Sequence, residues 1–147
     1  MDGLILVLTV LAGCLMPVQP AVNAVTAKLM SSPYLASFFS FLTGTLTLGI
    51  VCLALRLPWP DGKIVAGLPW WAWTAGPMGA FFVTITILAV PRLGTMSVMA
   101  LLIAGQMAMS LVMDHFGWMG IPAQPISVWR ILGAILLFTG VILIRKF

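Results

Sequence analysis

Long apolar segments alternate with short polar connections along the whole chain. A helix needs about 20 apolar residues to cross the roughly 30 Å of hydrocarbon in a bilayer, and five segments reach or approach that length. They cover residues 4–27, 34–55, 68–90, 94–113 and 128–144. The pattern predicts an all-α integral membrane protein in which residues 1–147 form a single transmembrane domain.

The connections between these segments are rich in proline, glycine and serine, which favour turns. The tryptophans lie in or beside the connections, where an indole ring is well placed at head-group depth. They are Trp59, Trp70, Trp71, Trp73, Trp118 and Trp129. Trp73 lies deepest in its segment, so it is the candidate among them for contact with a substrate.

The composition agrees with a membrane protein and excludes several functional classes. Hydrophobic residues make up 62% of the chain and charged residues only 7%, which is too few to cover the exterior of a water-soluble domain. The seven Lys and Arg residues are scattered and form no basic stripe, so we expect no nucleic-acid partner. No metal-ligand spacing, phosphate-binding loop or nucleophile motif is present, so we expect neither an enzyme nor a cofactor.

The cationic residues divide almost equally between the two membrane faces. Five spans place the two termini on opposite faces, and orientation normally follows the excess of Lys and Arg on the cytoplasmic side. The face of Met1 receives Arg56, Lys63 and Arg130, and the other face receives Lys28, Arg92, Arg145 and Lys146. This near balance predicts insertion in both orientations. The alternative, in which one cationic residue dominates the orientation, remains open.

The apolar segments contain carboxamides but no carboxylate at mid-membrane depth. The chain has no glutamate, and its aspartates lie near the terminus, in a loop and at the end of the fourth segment. Gln19 and Asn23 are four residues apart on the first segment, and Gln106 lies in the middle of the fourth. An unpaired amide in hydrocarbon costs several kcal/mol, so each needs a partner. That partner is a neighbouring helix, water or a transported solute.

Two prolines predict a break in the first helix. Pro17 removes the N–H that would bond the carbonyl of Gly13, and Pro20 does the same for Met16. Transporters often bind their substrate where a helix is broken at mid-membrane depth. A kink whose carbonyls are satisfied by neighbouring hydroxyls or water is the alternative.

Polar residues recur every four positions on the fourth segment, at Gln106, Ser110 and Asp114, which predicts a common face. Asp114 and His115 are the one adjacent acid and imidazole, so they are a candidate proton relay. The alternative is that the pair marks the end of the helix at the membrane surface. The candidate substrate-binding residues are therefore Gly13, Gln19, Asn23, Trp73, Gly105, Gln106 and Ser110.

Glycines on two segments predict close helix packing. Gly76 and Gly79 lie in the first half of the third segment, and Gly133 and Gly140 lie two turns apart on one face of the fifth. The second pair is the candidate contact between two subunits.

The order of several motifs resembles the bacterial YdcZ-like family of five-helix membrane proteins. They are the run from Gly13 through Gln19 to Asn23, Gly76-Pro77-Met78-Gly79-Ala80-Phe81, Val90-Pro91-Arg92-Leu93-Gly94, Ala104-Gly105-Gln106, Asp114-His115-Phe116-Gly117 and Leu132-Gly133. That family belongs to the drug/metabolite transporter superfamily, whose small multidrug resistance members are antiparallel dimers of four-helix subunits. The resemblance implies a transporter assembled as an antiparallel dimer. Those small members use a first-helix glutamate for substrate and proton, and this chain has none.

We therefore expect a small secondary transporter in a bacterial inner membrane. It would carry a polar or amphipathic metabolite by alternating access, and its partner would be a second copy, or a paralogue, in the opposite orientation. Two alternatives remain open: a dual-topology ion channel, and a non-transporting subunit of a larger membrane complex.

Overall fold

The fold is built from helices alone in the part of the chain that the computed structural model describes, residues 2–120 and 122–146. The α-helices are α1 (Asp2–Leu15), α2 (Val18–Leu29), α3 (Pro33–Ala54), α4 (Gly62–Ala66), α5 (Ala75–Leu93), α6 (Thr95–Phe116) and α7 (Val128–Lys146). Short 3₁₀ turns cover Trp70–Thr74 and Trp118–Gly120. Because these residues include no β-strand, the predicted all-α class is confirmed.

Five stretches of the described chain are long and apolar enough to cross a bilayer. They are Gly3–Leu29, Pro33–Ala54, Trp70–Leu93, Thr95–Phe116 and Val128–Lys146. Five candidate spans agree with the five predicted segments, whose ends differ from them by three residues at most. The short helix α4 lies in the connection between the second and third spans, where the Asp61 carboxylate caps it by accepting from the N–H of Lys63.

The first span is interrupted at Met16 and Pro17, as Pro17 predicted. The carbonyl of Gly13 is nevertheless not free, because the N–H of Met16 donates to it at 3.2 Å and closes the last turn of α1. Pro20 was wrongly predicted to break the helix. It lies in the first turn of α2, where a helix leaves its N–H groups unbonded and a proline is tolerated. In the described residues no donor bonds the Met16 carbonyl.

Glycines set the helix ends in the second half of the chain, whereas the third predicted segment, residues 68–90, ended just before Pro91. Pro91 lies inside α5 and cannot bond the carbonyl of Ile87, yet the helix continues to Leu93. The chain leaves the helix at Gly94, whose φ of 78° is accessible to glycine. Gly117 ends α6 in the left-handed conformation and donates its N–H to the carbonyl of Met113.

The first compact unit extends to Arg92 and has α2, α3 and α5 at its centre. Its core is formed by Ala36, Val83 and Ile87, and Ser37 shares a 2.8 Å hydrogen bond with Thr84 between α3 and α5. Gly79 brings α5 close to α3, because a Cβ there would lie 3.0 Å from Cζ of Phe41. Close packing was predicted for Gly76 and Gly79, and it is found at Gly79, whereas a Cβ at Gly76 would meet nothing within 4 Å.

The second compact unit begins at Leu93 and consists mainly of the antiparallel pair α6 and α7. Its core is small: Ala100, Ala104 and Val141 are buried, and Leu137 and Ile144 pack beside them. Most large apolar side chains of both units are exposed. In a bilayer such side chains face lipid, and small residues at the helix contacts let the backbones approach.

Candidate functional site

A groove between α2 and α3 in the first unit is lined by the predicted site residue Gln19 and by two hydroxyl side chains. It has a volume of about 250 Å³ and is lined by Gln19, Ser40, Phe41, Gly44, Thr45 and Leu48. The helix α3 has 22 residues, and the lining positions lie on both sides of its middle. At 1.5 Å per residue, the five lining positions on α3 lie within about 7 Å of the centre of that helix along its axis. The groove is therefore at the middle of the second apolar span.

Asn23 fixes the two walls of this groove relative to each other. Its side chain is buried and donates from Nδ2 to Oγ of Ser40 at 3.2 Å. This hydrogen bond joins α2 to α3. Asn23 therefore has the structural role predicted for the carboxamides, which is a bond to a neighbouring helix. The hydroxyl of Ser40 accepts this bond and keeps its own proton for another partner.

Gln19 differs from Asn23 although it lies one turn away on the same helix. Its side chain is exposed, and its amide forms no hydrogen bond within the described residues. The break at Pro17 lies two positions before it. An amide brings two donors and an acceptor, so Gln19 offers the groove a hydrogen-bonding group that the fold does not use.

Thr45 is also without a partner in the described chain. The neighbouring threonines Thr43 and Thr47 both donate to carbonyls of the preceding turn, at 2.9 Å and 2.8 Å. No such bond is formed by Thr45, which lines the groove with Gln19. Sequence reasoning missed both Thr45 and Ser40, because hydroxyls on a membrane helix usually bond their own backbone and so carry little signal.

Gly13 and Trp73 were predicted as substrate contacts, and neither lines the groove. Gly13 lies in the last turn of α1, where a Cβ would meet nothing within 4 Å. Trp73 is exposed in the 3₁₀ turn that opens the third span. Both roles stay predictions.

A second groove lies between α6 and α7 within the second unit. It has a volume of about 300 Å³, and its lining is Met107, Ser110, Leu111, Asp114, Arg130, Gly133, Ala134 and Leu137. Ser110 and Asp114 share it as predicted, but Gln106 is not part of it. Each four-residue step overshoots a full helical turn by about 40°, so Gln106 lies about 80° away from Asp114 around the axis. Gln106 and Gly105 are exposed, and a Cβ on Gly105 would meet nothing within 4 Å.

Asp114 is held by Arg130 rather than by His115. Nη1 of Arg130 lies 3.2 Å from Oδ2 of Asp114, and both side chains are about one-third exposed. The same guanidinium contacts both the carbonyl and the side-chain oxygen of Gln124, whose N–H donates to the carbonyl of Asp114 at 2.7 Å. Arg130 thus ties the loop before α7 to the end of α6. This ion pair could have been predicted from the sequence, because Asp114 lies at the end of the fourth span and Arg130 at the start of the fifth, on the same side of the membrane.

His115 also has a partner in the loop. Its Nδ1 accepts the N–H of Ile126 at 3.4 Å, and its side chain is exposed. These contacts match the alternative in which Asp114 and His115 mark the membrane surface. A proton relay through them stays a prediction. Among the described residues, no three His, Cys, Asp or Glu side chains come together as metal ligands would.

Comparison with known proteins places the chain in a family. The family model described as "Putative inner membrane exporter, YdcZ" matches residues 4–143. The chain belongs to the YdcZ family. It is similar to "Inner membrane protein YdcZ" of Escherichia coli (strain K12), with 33% identity over 85 residues, which is 58% of this chain and 56% of that protein. No solved structure gives a significant match.

The predicted family resemblance and location are therefore confirmed. With its apolar spans, this YdcZ-family chain is a multi-pass protein of a bacterial inner membrane, and its family is described as an exporter.

Proposed function

We propose that this protein is a small secondary transporter that carries an uncharged polar or amphipathic solute across the inner membrane. The observation that carries this proposal is the groove between α2 and α3. There the amide of Gln19 and the hydroxyl of Thr45 have no partner in the described chain, at mid-membrane depth and beside the break at Pro17.

The energetic cost of these unpaired groups supports a binding role. An amide left in hydrocarbon without a partner costs several kcal/mol, which is a large part of the stability of a small protein. A groove that admits water and solute removes that cost, because each can hydrogen-bond the free groups. Asn23 provides the comparison within the same helix, since it is buried and already paired.

The chemistry of the groove sets the class of solute. Its polar groups are an amide and two hydroxyls, and the ring of Phe41 and the side chain of Leu48 supply apolar area. None of the described residues that line the groove is charged, so nothing among them compensates the desolvation of an ion. The proposed solute is therefore neutral, with several hydrogen-bonding groups and an apolar part.

Two copies in opposite orientations would turn this groove into an alternating-access pathway. The groove is exposed in one chain, and a second inverted copy would cover it and offer the same groups from the other side. Rocking of the two copies against each other would then open the pathway to each side in turn. The family description as an exporter supports net outward movement.

Solute flux in proteoliposomes tests this proposal. Vesicles that contain the purified protein are loaded with a panel of labelled neutral metabolites, and efflux is followed with and without a proton gradient. We expect efflux of at least one solute that saturates with concentration and exceeds that of protein-free vesicles.

The other outcomes separate the alternatives. An ion current that grows in proportion to concentration, without saturation, would indicate a channel. Absence of flux for every solute, together with a co-purifying membrane partner, would indicate a subunit of a larger complex.

The glycines of α7 support contact with a second copy. A Cβ at Gly133 or at Gly140 would meet nothing within 4 Å, so packing inside the described chain does not require glycine at either position. Glycine costs a helix about 1 kcal/mol relative to alanine. Close packing of another helix against this face would offset the cost of the two glycines.

We expect the dimer to be antiparallel and to depend on this face of α7. In a background with Cys14→Ala and Cys52→Ala, a Gly62→Cys substitution in the connection between the second and third spans should label from both sides of the membrane in comparable amounts. Replacing both Gly133 and Gly140 with isoleucine should lower the cross-linked dimer fraction by about half or more.

The matched control is Gly3→Ile on α1, where a Cβ also meets nothing within 4 Å. It should leave the dimer fraction unchanged. Labelling of Gly62→Cys from one side alone would replace the homodimer with an oppositely oriented paralogue as partner. An unchanged dimer fraction after the double replacement would remove α7 from the interface.

A further inference from the structure

A second cleft in the first unit lies at the membrane surface and combines cationic and apolar walls. The end of α2 and the end of α5 form its sides, and the turn before α3 closes it, with a volume of about 240 Å³. We call it the basic cleft and define it by Lys28, Ser32, Ile87, Leu88 and Arg92. It is at the opposite end of α2 from the break at Pro17, so it is separate from the proposed transport groove.

The two cations of the basic cleft are unpaired in the described residues. Lys28 is in the last turn of α2 and Arg92 in the last turn of α5, and neither forms an ion pair or hydrogen bond there. Among the described side chains, no carboxylate lies within ion-pair distance of either cation. Two positive charges therefore converge on one cleft with no carboxylate to balance them.

The remaining lining fits the two parts of an amphiphile. Ser32 accepts the N–H of Leu35 through its hydroxyl oxygen, so its own proton is available to an anion. Leu88 is exposed next to the buried Ile87, and its side chain gives the cleft an apolar wall. A ligand with an anionic head and a hydrocarbon tail matches both walls.

We propose that the basic cleft binds an anionic phospholipid, with the phosphate between Lys28 and Arg92 and the upper acyl chain along Leu88. A cation that serves only as an interfacial anchor needs no cleft and no matching cation on a neighbouring helix. Cationic pockets between membrane helices bind phosphate head groups in this way. Lipid binding here breaks no ion pair, because neither cation has one in the described residues.

Lipid retention by the intact protein tests the site. The full chain is purified from mixed micelles that contain equal amounts of phosphatidylglycerol and phosphatidylcholine, and bound lipid is counted by native mass spectrometry. Phosphatidylglycerol should be retained in preference. The double variant Lys28→Gln, Arg92→Gln should retain it about 30-fold more weakly, because two surface cations are lost.

Two further variants keep the result specific. Arg56→Gln with Lys63→Gln removes the same charge from the opposite face and should retain phosphatidylglycerol as the unmodified protein does. Lys28→Arg with Arg92→Lys keeps both charges and should also retain it. Equal loss in the opposite-face variant would overturn the site, since the net charge alone would then explain binding.

The source of the phosphate is tested in the same preparation. Inorganic phosphate should fail to displace the lipid, because it has no acyl chain to fill the apolar wall. Displacement by inorganic phosphate would mean that the cleft takes a free anion instead. Equal retention of phosphatidylcholine would mean that the charges play no part. Either result overturns the proposal.

Discussion

Gln19→Leu should reduce solute flux by about 5- to 150-fold while the protein still folds and assembles. The amide of Gln19 bonds nothing in the described chain, so its removal costs the fold no hydrogen bond. A bound solute, however, would lose its partner, and an unsatisfied buried polar group costs about 1–3 kcal/mol. Each 1.4 kcal/mol is about tenfold in a binding constant. Flux and thermal unfolding, measured on the same preparation, record the two effects separately.

Asn23→Leu is the matched control, one turn further along α2. It removes the bond to Ser40 between α2 and α3, so it should lower stability by roughly 0.6 to 2 kcal/mol and reduce flux through the loss of folded protein. The contrast is the prediction: Gln19→Leu should lose flux at an unchanged melting temperature, and Asn23→Leu should lower the melting temperature. Normal flux in a stable Gln19→Leu protein would place the site elsewhere, with Gln106 and Ser110 as the next candidates.

A charged probe at the same position sharpens this result. Gln19→Glu places a carboxylate in a groove that carries no other charge. If the groove is wet, the variant should remain folded and begin to move cations or protons. If the position faces lipid, the carboxylate should destabilise the protein by about 2.5–3.5 kcal/mol.

The sequence predicted the spans well because a bilayer imposes one length on every helix that crosses it. The helix ends were less predictable. Gly94 and Gly117, not Pro91, end α5 and α6, since only a residue that tolerates positive φ can turn the chain sharply there. Pro20 was misassigned for a related reason: the effect of a proline depends on its distance from the helix start, and α2 begins only two residues before it.

The site was predictable in part. Gln19 and Asn23 were both identified from their chemistry, but spacing alone could not tell that Asn23 points into the contact with Ser40 and Gln19 into the groove. The groups that were missed have their partners on other helices. Ser40 and Thr45 are part of the site because α2 places Gln19 beside them. Arg130 contacts Asp114 because the loop after α6 brings the start of α7 back to the end of α6. Such pairings depend on tertiary structure and leave no local pattern.

Cysteine substitutions at two adjacent positions of α3 test whether the groove is a pathway for water and solute. Thr45 lines the groove, and Leu46 is exposed at the same depth but outside the groove lining. In the background without Cys14 and Cys52, Thr45→Cys and Leu46→Cys differ by one residue in position and by about 100° around the helix. Only the thiolate reacts with thiol reagents, and a charge at the centre of a bilayer costs about 2.5 kcal/mol or more.

The most direct measurement is the rate at which a membrane-impermeant thiol reagent modifies these two cysteines in proteoliposomes. Denaturation in detergent should make the two rates equal and so control for intrinsic reactivity. In the membrane, Thr45→Cys should react more than about tenfold faster than Leu46→Cys, because only the groove admits water. Equal slow rates at both positions would contradict the account, since the groove would then be filled by lipid or by a dry helix contact and could not be the transport pathway.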